Sequence, residues 1–428
     1  MRIDNGTLAV NSDHLRIAII FHRLGPYHWA RLTAAAKIFD IVAIELSAES
    51  LEYSWDKIDK PSNFRRVTLF DSAVAGAGRG NAMTRRINDA LTAENPLNAV
   101  AIPGWSSLGA LTTLKWCLRQ GVPAILMSES TQSDRRRYFW PERIKAKVVQ
   151  LFNSAIVGGR AHKEYLVRLG MAEGRVFAGY DVVDNEFFAN KADDVRRNPG
   201  ATRERLNLPV NYFLASSRFL PKKNLVRLLE AYARYRRVAG SGAWDLVLLG
   251  DGPLSASIEG HRKVLGLDRC VHLPGFKQYD ELPIYYALAG AFAHASVSEP
   301  WGLVVNEAMA SGLPIIVSKK CGCVSELLAE GRNGFSFAPE DVNGLADLLL
   351  RMAALPDVER EGMAQASREI IASWSVERFA NGLRGAVRAA KCAPRKKIQP
   401  SAKLLLSSLI FARRTKPTMF APASSRWI

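Results

Sequence analysis

Two glutamates, Glu299 and Glu307, lie eight positions apart around a turn that leads into a predicted helix. The turn runs from Pro300 to Gly302, and its glycine lets backbone N–H groups approach a ligand with no side chain in the way. Because the unpaired N–H groups of a first helical turn favour anions, we expect a phosphate here. Glu307 then lies roughly 7 to 8 Å along the helix, a suitable reach from a diphosphate to a ribose. Glu299 points the other way, toward a sugar attached to that diphosphate.

Two cations follow an earlier predicted strand. The strand YFLAS leads into SSRFLPKKN, in which Arg218 and Lys223 lie five positions apart. A second strand, WDLVLLGDGP, ends in a tight turn at Gly250 and Gly252, which lets the backbone approach phosphate or sugar closely. Open α/β sheets bind ligands at the carboxyl ends of their strands, so these residues predict an anion site there. Each motif alone is also compatible with an ordinary strand, helix, strand unit that carries solvated charges.

In this order the motifs resemble the C-terminal half of a family 4 retaining glycosyltransferase, whose pattern is R-x4-K-N, then G-x-G, then E-x7-E. The segment GRNGF and the GLP before the next strand fit the same family, and the resemblance covers about residues 205 to 375. It implies the α/β fold called GT-B, in which two Rossmann-like, doubly wound parallel-sheet domains face a central cleft. It also implies transfer of a sugar from a nucleoside-diphosphate sugar to an acceptor hydroxyl, with retention at the anomeric carbon.

The resemblance gives individual residues their roles. Arg218 and Lys223 would stabilise negative charge on the leaving phosphate, and Glu299 would bind the donor sugar and favour its cationic ring. Glu307 would bind the ribose. Since these fixed cations are present and no D-x-D motif is found, we expect no metal and no cofactor, with the nucleotide sugar as co-substrate. Contacts to the donor are also expected at Gly25, Gly250, Gly252, Gly302, Leu303 and Val304.

Two departures from the family pattern lie in the first half of the chain. After the first strand the sequence reads HRLGPYHWAR, so proline follows Gly25 where a second glycine is usual. Where many members have a histidine close to the transferred sugar, the strand AILMS runs into Glu129, which is flanked by serines. The acceptor-side chemistry therefore stays open. His22 and His28 could supply it, or could be structural residues near a strand end.

The order of predicted elements indicates two domains. The first half alternates strands and helices, which is typical of a doubly wound parallel sheet. The stretch NKADDVRRNPGATRER has few apolar residues and is interpreted as a linker, while WSVERFANGLRGAVRAA has helical periodicity. The predicted divisions are an acceptor-side domain (1–190), a linker (191–205), a nucleotide-sugar-binding domain (206–373), a helix that returns to the first domain (374–390) and a basic tail (391–428).

The amino-acid composition indicates the cellular compartment of the protein. The chain has 428 residues, 48% of them hydrophobic, which is ordinary for a globular protein of two or three domains. Its five cysteines are scattered, with no histidine at ligand spacing, so we expect neither disulfides nor a zinc site and favour a reducing compartment. Asp4 and Asp13 lie where a signal peptide would need an apolar run, and no apolar stretch approaches about 20 residues. We therefore expect a cytoplasmic protein.

The net charge of +17 is concentrated in two basic segments. Residues 135–147 mix basic with aromatic side chains, and residues 391–428 contain nine basic residues and no acidic one. Such segments suit an anionic membrane surface, a nucleic acid, or simply solvent. No nucleic-acid module accompanies them, so we expect no nucleic-acid partner and a peripheral position on the inner face of the cell membrane.

Other classes of protein use related sheets. A dinucleotide-dependent oxidoreductase needs G-x-G-x-x-G after a strand, and GDGPLS lacks the last glycine. A GT-B epimerase of nucleotide sugars and a non-catalytic nucleotide-sugar-binding subunit remain alternatives, although Arg218 and Lys223 argue against the second. Family analogy points to synthesis of bacterial cell-surface polysaccharide, lipopolysaccharide or glycolipid, with a glycan or lipid-linked acceptor.

Overall fold

Two parallel β-sheets form the framework of the protein. The computed structural model describes residues 15–49, 55–71, 79–134, 137–394 and 399–415. The first sheet contains β1 (Arg16–Phe21), β2 (Asp40–Glu45), β3 (Arg65–Thr68), β4 (Ala99–Pro103), β5 (Ala124–Ser128), β6 (Ser154–Val157) and β7 (Val176–Ala178). The second contains β8 (Tyr212–Ser216), β9 (Asp245–Leu249), β10 (Val271–Gly275), β11 (Ala291–His294), β12 (Ile315–Ser318) and β13 (Gly334–Phe337).

The order of strands reverses once within each sheet. The seven strands of the first sheet are ordered β3-β2-β1-β4-β5-β6-β7, and the six of the second β10-β9-β8-β11-β12-β13. The neighbours pair in parallel. The reversals, between β1 and β4 and between β8 and β11, open crevices beyond the carboxyl ends of these strands, where α/β proteins bind ligands. The prediction of two doubly wound sheets is confirmed.

Helices cover both faces of each sheet, which is why strands such as β4, β5 and β8 are almost wholly apolar and buried. None of the helices in the described ranges has the length and apolar character needed to span a bilayer. They are α1 (Pro26–Ala35), α2 (Arg79–Ala93), α3 (Leu108–Gln120), α4 (Phe139–Val149), α5 (Arg160–Arg168), α6 (Asn185–Arg197), α7 (Pro199–Leu206), α8 (Leu225–Ala239), α9 (Ser255–Val264), α10 (Leu282–Leu288), α11 (Leu303–Ala310), α12 (Val324–Leu327), α13 (Val342–Ala354), α14 (Asp357–Ala372), α15 (Val376–Cys392) and α16 (Pro400–Thr415).

The connections between the two domains are helical. The segment predicted as a linker, 191–205, comprises the end of α6 and most of α7. Asp193 of α6 accepts hydrogen bonds from Arg368 of α14 at 2.5 and 3.0 Å, and Pro199 occupies the first turn of α7, where its missing N–H costs nothing. In the segment predicted to return to the first domain, α15 packs against α1 and against β5, β6 and β7.

Part of the predicted basic tail belongs to the N-terminal domain. Helix α16 packs against α2 and α3, with Leu406 and Ile410 buried in the same core as β4 and β5. Lys115 Nζ of α3 donates a hydrogen bond to Ser407 Oγ at 2.9 Å. The interpretation of 391–428 as a tail is therefore wrong for α16, because leucine and isoleucine at helical spacing bury one of its sides. Residues 395–398 and 416–428 lie outside the described residues.

This packing predicts that α16 contributes to folding. Leu406 is 0% exposed and Leu404, in the same helix, is 69% exposed. Leu406→Ala should lower the free energy of unfolding by about 2 to 5 kcal/mol, the usual cost of a cavity in a core. Leu404→Ala is the matched control and should change it by less than about 0.5 kcal/mol. Urea denaturation followed by circular dichroism measures both, and equal effects of the two variants would contradict the packing of α16.

Candidate active site

The loop after β8 holds Lys223 in a fixed position. Residues Pro221–Lys223 form a 3₁₀ turn, and the next residue, Asn224, has a φ of 59°, in the left-handed region. The buried Asn224 Nδ2 donates hydrogen bonds to the carbonyl oxygens of Ala295 (3.0 Å) and Pro339 (2.8 Å). The loop is thereby tied to the end of β11, across the point where the order of strands reverses.

Lys223 and Glu299 form an ion pair at this point. Lys223 Nζ donates to Glu299 Oε2, and the two side chains are only 14% and 11% exposed. Ser296 Oγ also donates to Glu299 Oε2 at 3.2 Å, and His294 Nε2 lies 3.5 Å away. Burial alone would raise the pKa of Glu299, but the Lys223 charge and the His294 contact hold it well below its usual range. The pair is therefore a cation and a carboxylate.

The turn after Glu299 leads directly into α11. Gly302, at the start of the helix, has a φ of 105°, which favours glycine, and Leu303 begins the helix. Trp301 is buried, and its Nε1 donates to Asn306 Oδ1 at 2.9 Å. Asn306 Nδ2 in turn reaches the carbonyl oxygen of Asp181 in the N-terminal domain at 3.3 Å. The turn is thus held by its own helix and by the other domain.

A histidine from the N-terminal domain also binds this turn. His162 Nδ1 accepts a hydrogen bond from the Gly159 N–H at 3.1 Å, so the ring proton is on Nε2. Nε2 then donates to the carbonyl oxygen of Pro300 at 2.9 Å. Burial lowers the pKa of His162 and keeps the ring neutral. The hydrogen bond spans the cleft and fixes the position of the turn between the domains.

Glu307 is buried between the domains. Its carboxylate accepts hydrogen bonds from Tyr27 Oη of α1 at 2.5 Å and from Tyr286 Oη of α10 at 2.8 Å. Burial raises the pKa of Glu307 to about 7, although both tyrosine hydroxyls act to lower it. The residue predicted to bind ribose is therefore engaged by two tyrosines, one from each domain.

Aromatic rings close the cleft beside Glu307. Tyr27 and Trp55 come from the N-terminal domain, whereas Phe276 and Tyr279 follow β10. The ring centroids of Tyr27 and Tyr279 are 5.5 Å apart, and those of Trp55 and Phe276 are 5.1 Å apart, with edge-on geometry. These contacts bring the start of α1 and the segment between β2 and β3 against the C-terminal domain.

The predicted glycine contacts have structural partners of their own. Gly25 N–H donates to His28 Nδ1 at 3.2 Å, so this N–H is already engaged. A Cβ on Gly250 would lie 1.8 Å from the carbonyl oxygen of Ser217, and one on Gly252 would lie 2.8 Å from that of Phe219. The G-x-G turn therefore packs directly against the loop that carries Arg218, and only glycine leaves it enough space.

Comparison with known proteins bears on this arrangement. The family described as "Glycosyl transferases group 1" matches residues 201–370. This region of the chain is similar to a group 1 glycosyl transferase domain. That region contains Arg218, Lys223, Glu299 and Glu307, the residues on which the predicted resemblance rested.

Relatives of the transferase domain differ in length. Sucrose-phosphate synthase from Zea mays is 30% identical over 176 residues, which cover 38% of this chain and 16% of the relative. The lipopolysaccharide 1,2-N-acetylglucosaminetransferase of Salmonella typhimurium is 29% identical over 210 residues, covering 46% of this chain and 52% of the relative. The chain therefore matches about half or less of these relatives' length.

A solved structure confirms the fold. HepE from Anabaena, determined in complex with UDP and glucose, has a TM-score of 0.65 at 17% identity, and the match covers 88% of this chain and 100% of that one. At this identity the likeness shows the fold alone, which is the GT-B architecture predicted from the sequence.

The structure brings together residues that belong to separate sequence motifs, and it adds residues that no motif predicted. Lys223, Glu299 and the start of α11 meet at the carboxyl ends of β8 and β11, whereas Gly250 and Gly252 pack against Ser217 and Phe219 in the loop after β8. Asn224 is part of the R-x4-K-N motif, but the motif did not predict the hydrogen bonds that its side chain donates. Sequence analysis missed the residues that lie outside the motifs but contact the site in the folded protein. They are Tyr27, His162, Asp181, Tyr286 and His294.

Glu307 predicts a specific pH dependence. Its pKa rises from an ordinary 4.5 to about 7 on folding, so the folded state holds the proton more tightly and loses stability as the pH rises between these values. Relative to Glu307→Gln, the wild type should therefore lose roughly 3 kcal/mol of unfolding free energy between pH 4.5 and 8. Urea denaturation across this range measures the difference.

Glu299→Gln is the control for this experiment. The folded-state pKa of Glu299 is depressed. Its contribution to the free energy of unfolding is therefore complete above pH 4.5 and is lost only as the pH falls further. The difference between wild type and Glu299→Gln should therefore stay constant from pH 4.5 to 8. A constant difference for Glu307→Gln as well would contradict the raised pKa of Glu307.

Proposed function

We propose that this protein is a retaining glycosyltransferase that moves a sugar from a nucleoside-diphosphate sugar to an acceptor hydroxyl. The observation that carries the proposal is the partly buried Lys223 and Glu299 pair, which lies where the strand order reverses, with Glu299 just before the first turn of α11. A cation, a carboxylate and a helix N-terminus at one strand edge suit a phosphate with a sugar attached.

The mechanism follows from the charges that develop on the donor. When the bond from the anomeric carbon breaks, negative charge grows on the leaving phosphate, where Lys223, Arg218 and the N–H groups at the start of α11 stabilise it. Positive charge grows on the sugar ring, which the Glu299 carboxylate favours. The leaving phosphate takes the acceptor proton on the same face, and this gives retention.

Known relatives support the choice of substrates. HepE was solved with UDP, which makes a uridine nucleotide sugar the first donor to test. The Salmonella relative acts on lipopolysaccharide by its name, and this supports a cell-surface polysaccharide, lipopolysaccharide or glycolipid as the product class. The acceptor would then be a glycan or a lipid-linked glycan.

Removal of either cation tests the proposal. Nucleotide sugars are first screened for thermal stabilisation, since a ligand at 100 times its dissociation constant should stabilise by about 2.7 kcal/mol. With the donor found, Arg218→Ala and Lys223→Ala should each lower turnover about a hundredfold or more, because their charges act on the transition state. Lys263→Ala, an exposed lysine on α9, is the matched control. Near-normal turnover of either site variant contradicts the assignment.

The same assay includes a chelator. Since Arg218 and Lys223 are proposed to take the place of a metal, EDTA should leave turnover unchanged. Activity that is lost in EDTA and restored by magnesium or manganese would contradict this part of the mechanism. Interconversion of the nucleotide sugar without transfer would instead identify an epimerase, and donor binding without any product a binding subunit.

We also propose that α4 lies on an anionic membrane. The aromatic side chains at its start are exposed, namely Tyr138 (61%), Phe139 (64%) and Trp140 (72%). Arg143 and Lys147 are exposed on the same helix, and the Arg143 guanidinium lies 5.3 Å from the Phe139 ring centre. Shallow insertion of aromatic rings beside basic side chains is typical of interfacial helices.

The rest of segment 135–147 contributes less positive charge to the proposed membrane surface than its sequence indicated. Lys145 is buried and donates hydrogen bonds to Glu142 (2.5 Å) and Tyr165 (2.6 Å). Arg137 is 11% exposed and pairs with Asp134. Arg135 and Arg136 lie outside the described residues. The proposed surface therefore depends on the start of α4 and on its two exposed cations.

Vesicle binding tests this surface. Each Lys or Arg near an anionic bilayer is worth about 1 kcal/mol, so Arg143→Gln with Lys147→Gln should weaken binding to anionic vesicles by roughly thirtyfold. Phe139→Ala with Trp140→Ala should weaken it at high salt as well, because insertion is not screened. Val264→Ala, exposed on the other domain, is the control. Co-sedimentation measures binding, and equal affinity for neutral and anionic vesicles would contradict the proposal.

A further inference from the structure

Two buried polar side chains at the end of β11 lie beside Glu299. His294 is the last residue of β11 and is 3% exposed, and Ser296 follows two positions later and is 0% exposed. Ser296 Oγ lies 3.1 Å from His294 Nε2 and 3.2 Å from Glu299 Oε2. The three side chains therefore lie in series, with the serine in the middle.

The charge of Glu299 sets the direction of these hydrogen bonds. Lys223 Nζ donates to the same oxygen, Oε2, so the carboxylate is ionised and can only accept. The single hydroxyl hydrogen of Ser296 therefore points to Glu299, since donation to a charged acceptor gives the stronger hydrogen bond. The lone pairs of Ser296 Oγ are then left to accept a hydrogen bond from His294 Nε2.

The position of the His294 ring agrees with this direction. Its Nε2 also lies 3.5 Å from Glu299 Oε2, where an unprotonated nitrogen would present its lone pair to those of the carboxylate. Burial lowers the pKa of His294, although its contact with Glu299 acts in the other direction, so the ring is neutral and has one proton. That proton is on Nε2.

The contacts of Glu299 leave one of its oxygens for a ligand. The backbone is fixed, because the Glu299 N–H donates to Lys320 O at 3.3 Å and its carbonyl oxygen accepts from the Gly322 N–H at 3.0 Å. The side-chain contacts all reach Oε2, and no hydrogen-bond donor within the described ranges reaches Oε1. Oε1 is therefore the oxygen that a hydroxyl of the donor sugar would contact.

Lys223 has two demands on it in the proposed reaction. Its ammonium orients Glu299 before the reaction, but it must also stabilise the negative charge that grows on the leaving phosphate. As the ammonium turns to the phosphate, its hold on Glu299 weakens. Ser296 and the neutral His294 have no part in binding phosphate, so their hydrogen bonds persist while that charge develops.

We propose that Ser296 and His294 are positioning residues for Glu299, an inference that rests on the proposed transferase function. Ser296 holds Oε2 while Lys223 engages the phosphate, and His294 fixes the direction of the Ser296 hydroxyl. Glu299 Oε1 thereby keeps its orientation toward the donor sugar throughout the reaction.

Substitutions that keep or remove each hydrogen bond test these roles. Ser296→Ala removes the donor to Glu299, and its matched control is Ser367→Ala, which removes a buried hydroxyl that donates to the carbonyl oxygen of Leu313. His294→Leu removes the donor to Ser296, whereas His294→Gln retains an N–H group near the position of Nε2. The probes are UDP-glucose, which water hydrolyses to glucose and UDP, and UDP alone, which has no sugar for Glu299 to contact.

Ser296→Ala should lower kcat for UDP-glucose hydrolysis about tenfold or more, the scale of a hydrogen bond to a charged group, and His294→Leu about threefold or more. Both should change the Kd of UDP less than about twofold, because only the sugar contact is affected. His294→Gln and Ser367→Ala should resemble the wild type. The inference is overturned if kcat is unchanged in Ser296→Ala, if UDP binding weakens as much as kcat falls, or if His294→Gln is as impaired as His294→Leu.

A measurement without turnover separates this inference from the proposed function. Nitrogen-15 NMR of histidine-labelled protein at neutral pH distinguishes the two neutral forms of the ring. The His294 signal, assigned by its absence from His294→Gln, should show the proton on Nε2. A proton on Nδ1 overturns the inference, because Ser296 would then donate to His294 and not to Glu299. If His294 has its proton on Nε2 but the wild type neither binds UDP nor hydrolyses UDP-glucose, it is the proposed function that fails, and the positioning role fails with it.

Discussion

The turn from Pro300 to Gly302 is the constraint on which the rest of the site depends, because both domains close on it. A Cβ on Gly322 would lie 1.8 Å from the Pro300 carbonyl oxygen, and one on Gly158 would lie 2.9 Å from the Trp301 ring. His162 then donates across the cleft to the same carbonyl. The position of α11, and of the carboxylates on either side of the turn, is therefore set by close backbone packing, which tolerates little displacement.

Three carboxyl groups near this turn, all largely shielded from solvent, have differently shifted pKa values because their partners differ. Glu299 has the Lys223 ammonium and remains ionised, since an unpaired buried charge would be far more costly. Glu307 has only neutral hydroxyl donors, which offset part of its desolvation and leave it close to half protonated at neutral pH. Burial raises the pKa of Asp181 well above its usual range, and neither of its carboxyl oxygens has a hydrogen-bond partner among the described residues. One cleft thus holds an ionised carboxylate and two acids whose pKa values are raised by burial.

The sequence predicted the parts of the site that are local. Residues just after parallel strands meet at one edge whatever the details of packing, so Lys223 of R-x4-K-N and Glu299 of E-x7-E lie together at the carboxyl ends of β8 and β11. The contact of Tyr27 with Glu307 joins residues far apart in the chain and depends on how the domains close, which no local pattern encodes. Likewise, α16 was interpreted as a tail because its charges were more conspicuous than its single apolar side.

The contact of Tyr27 with Glu307 has a consequence for the energetics of donor binding. A ribose hydroxyl that reached Glu307 would replace a tyrosine hydroxyl, so one neutral donor would exchange for another and the net gain would be small. The affinity for a nucleotide sugar must then come mainly from the diphosphate at Lys223, Arg218 and the start of α11. Ribose binding would then leave the Tyr27 hydroxyl without this partner, while the Tyr27 ring keeps its contact with Tyr279 of the C-terminal domain. Under the proposed function, donor binding and the hydrogen bond from Tyr27 therefore compete for the same Glu307 carboxylate.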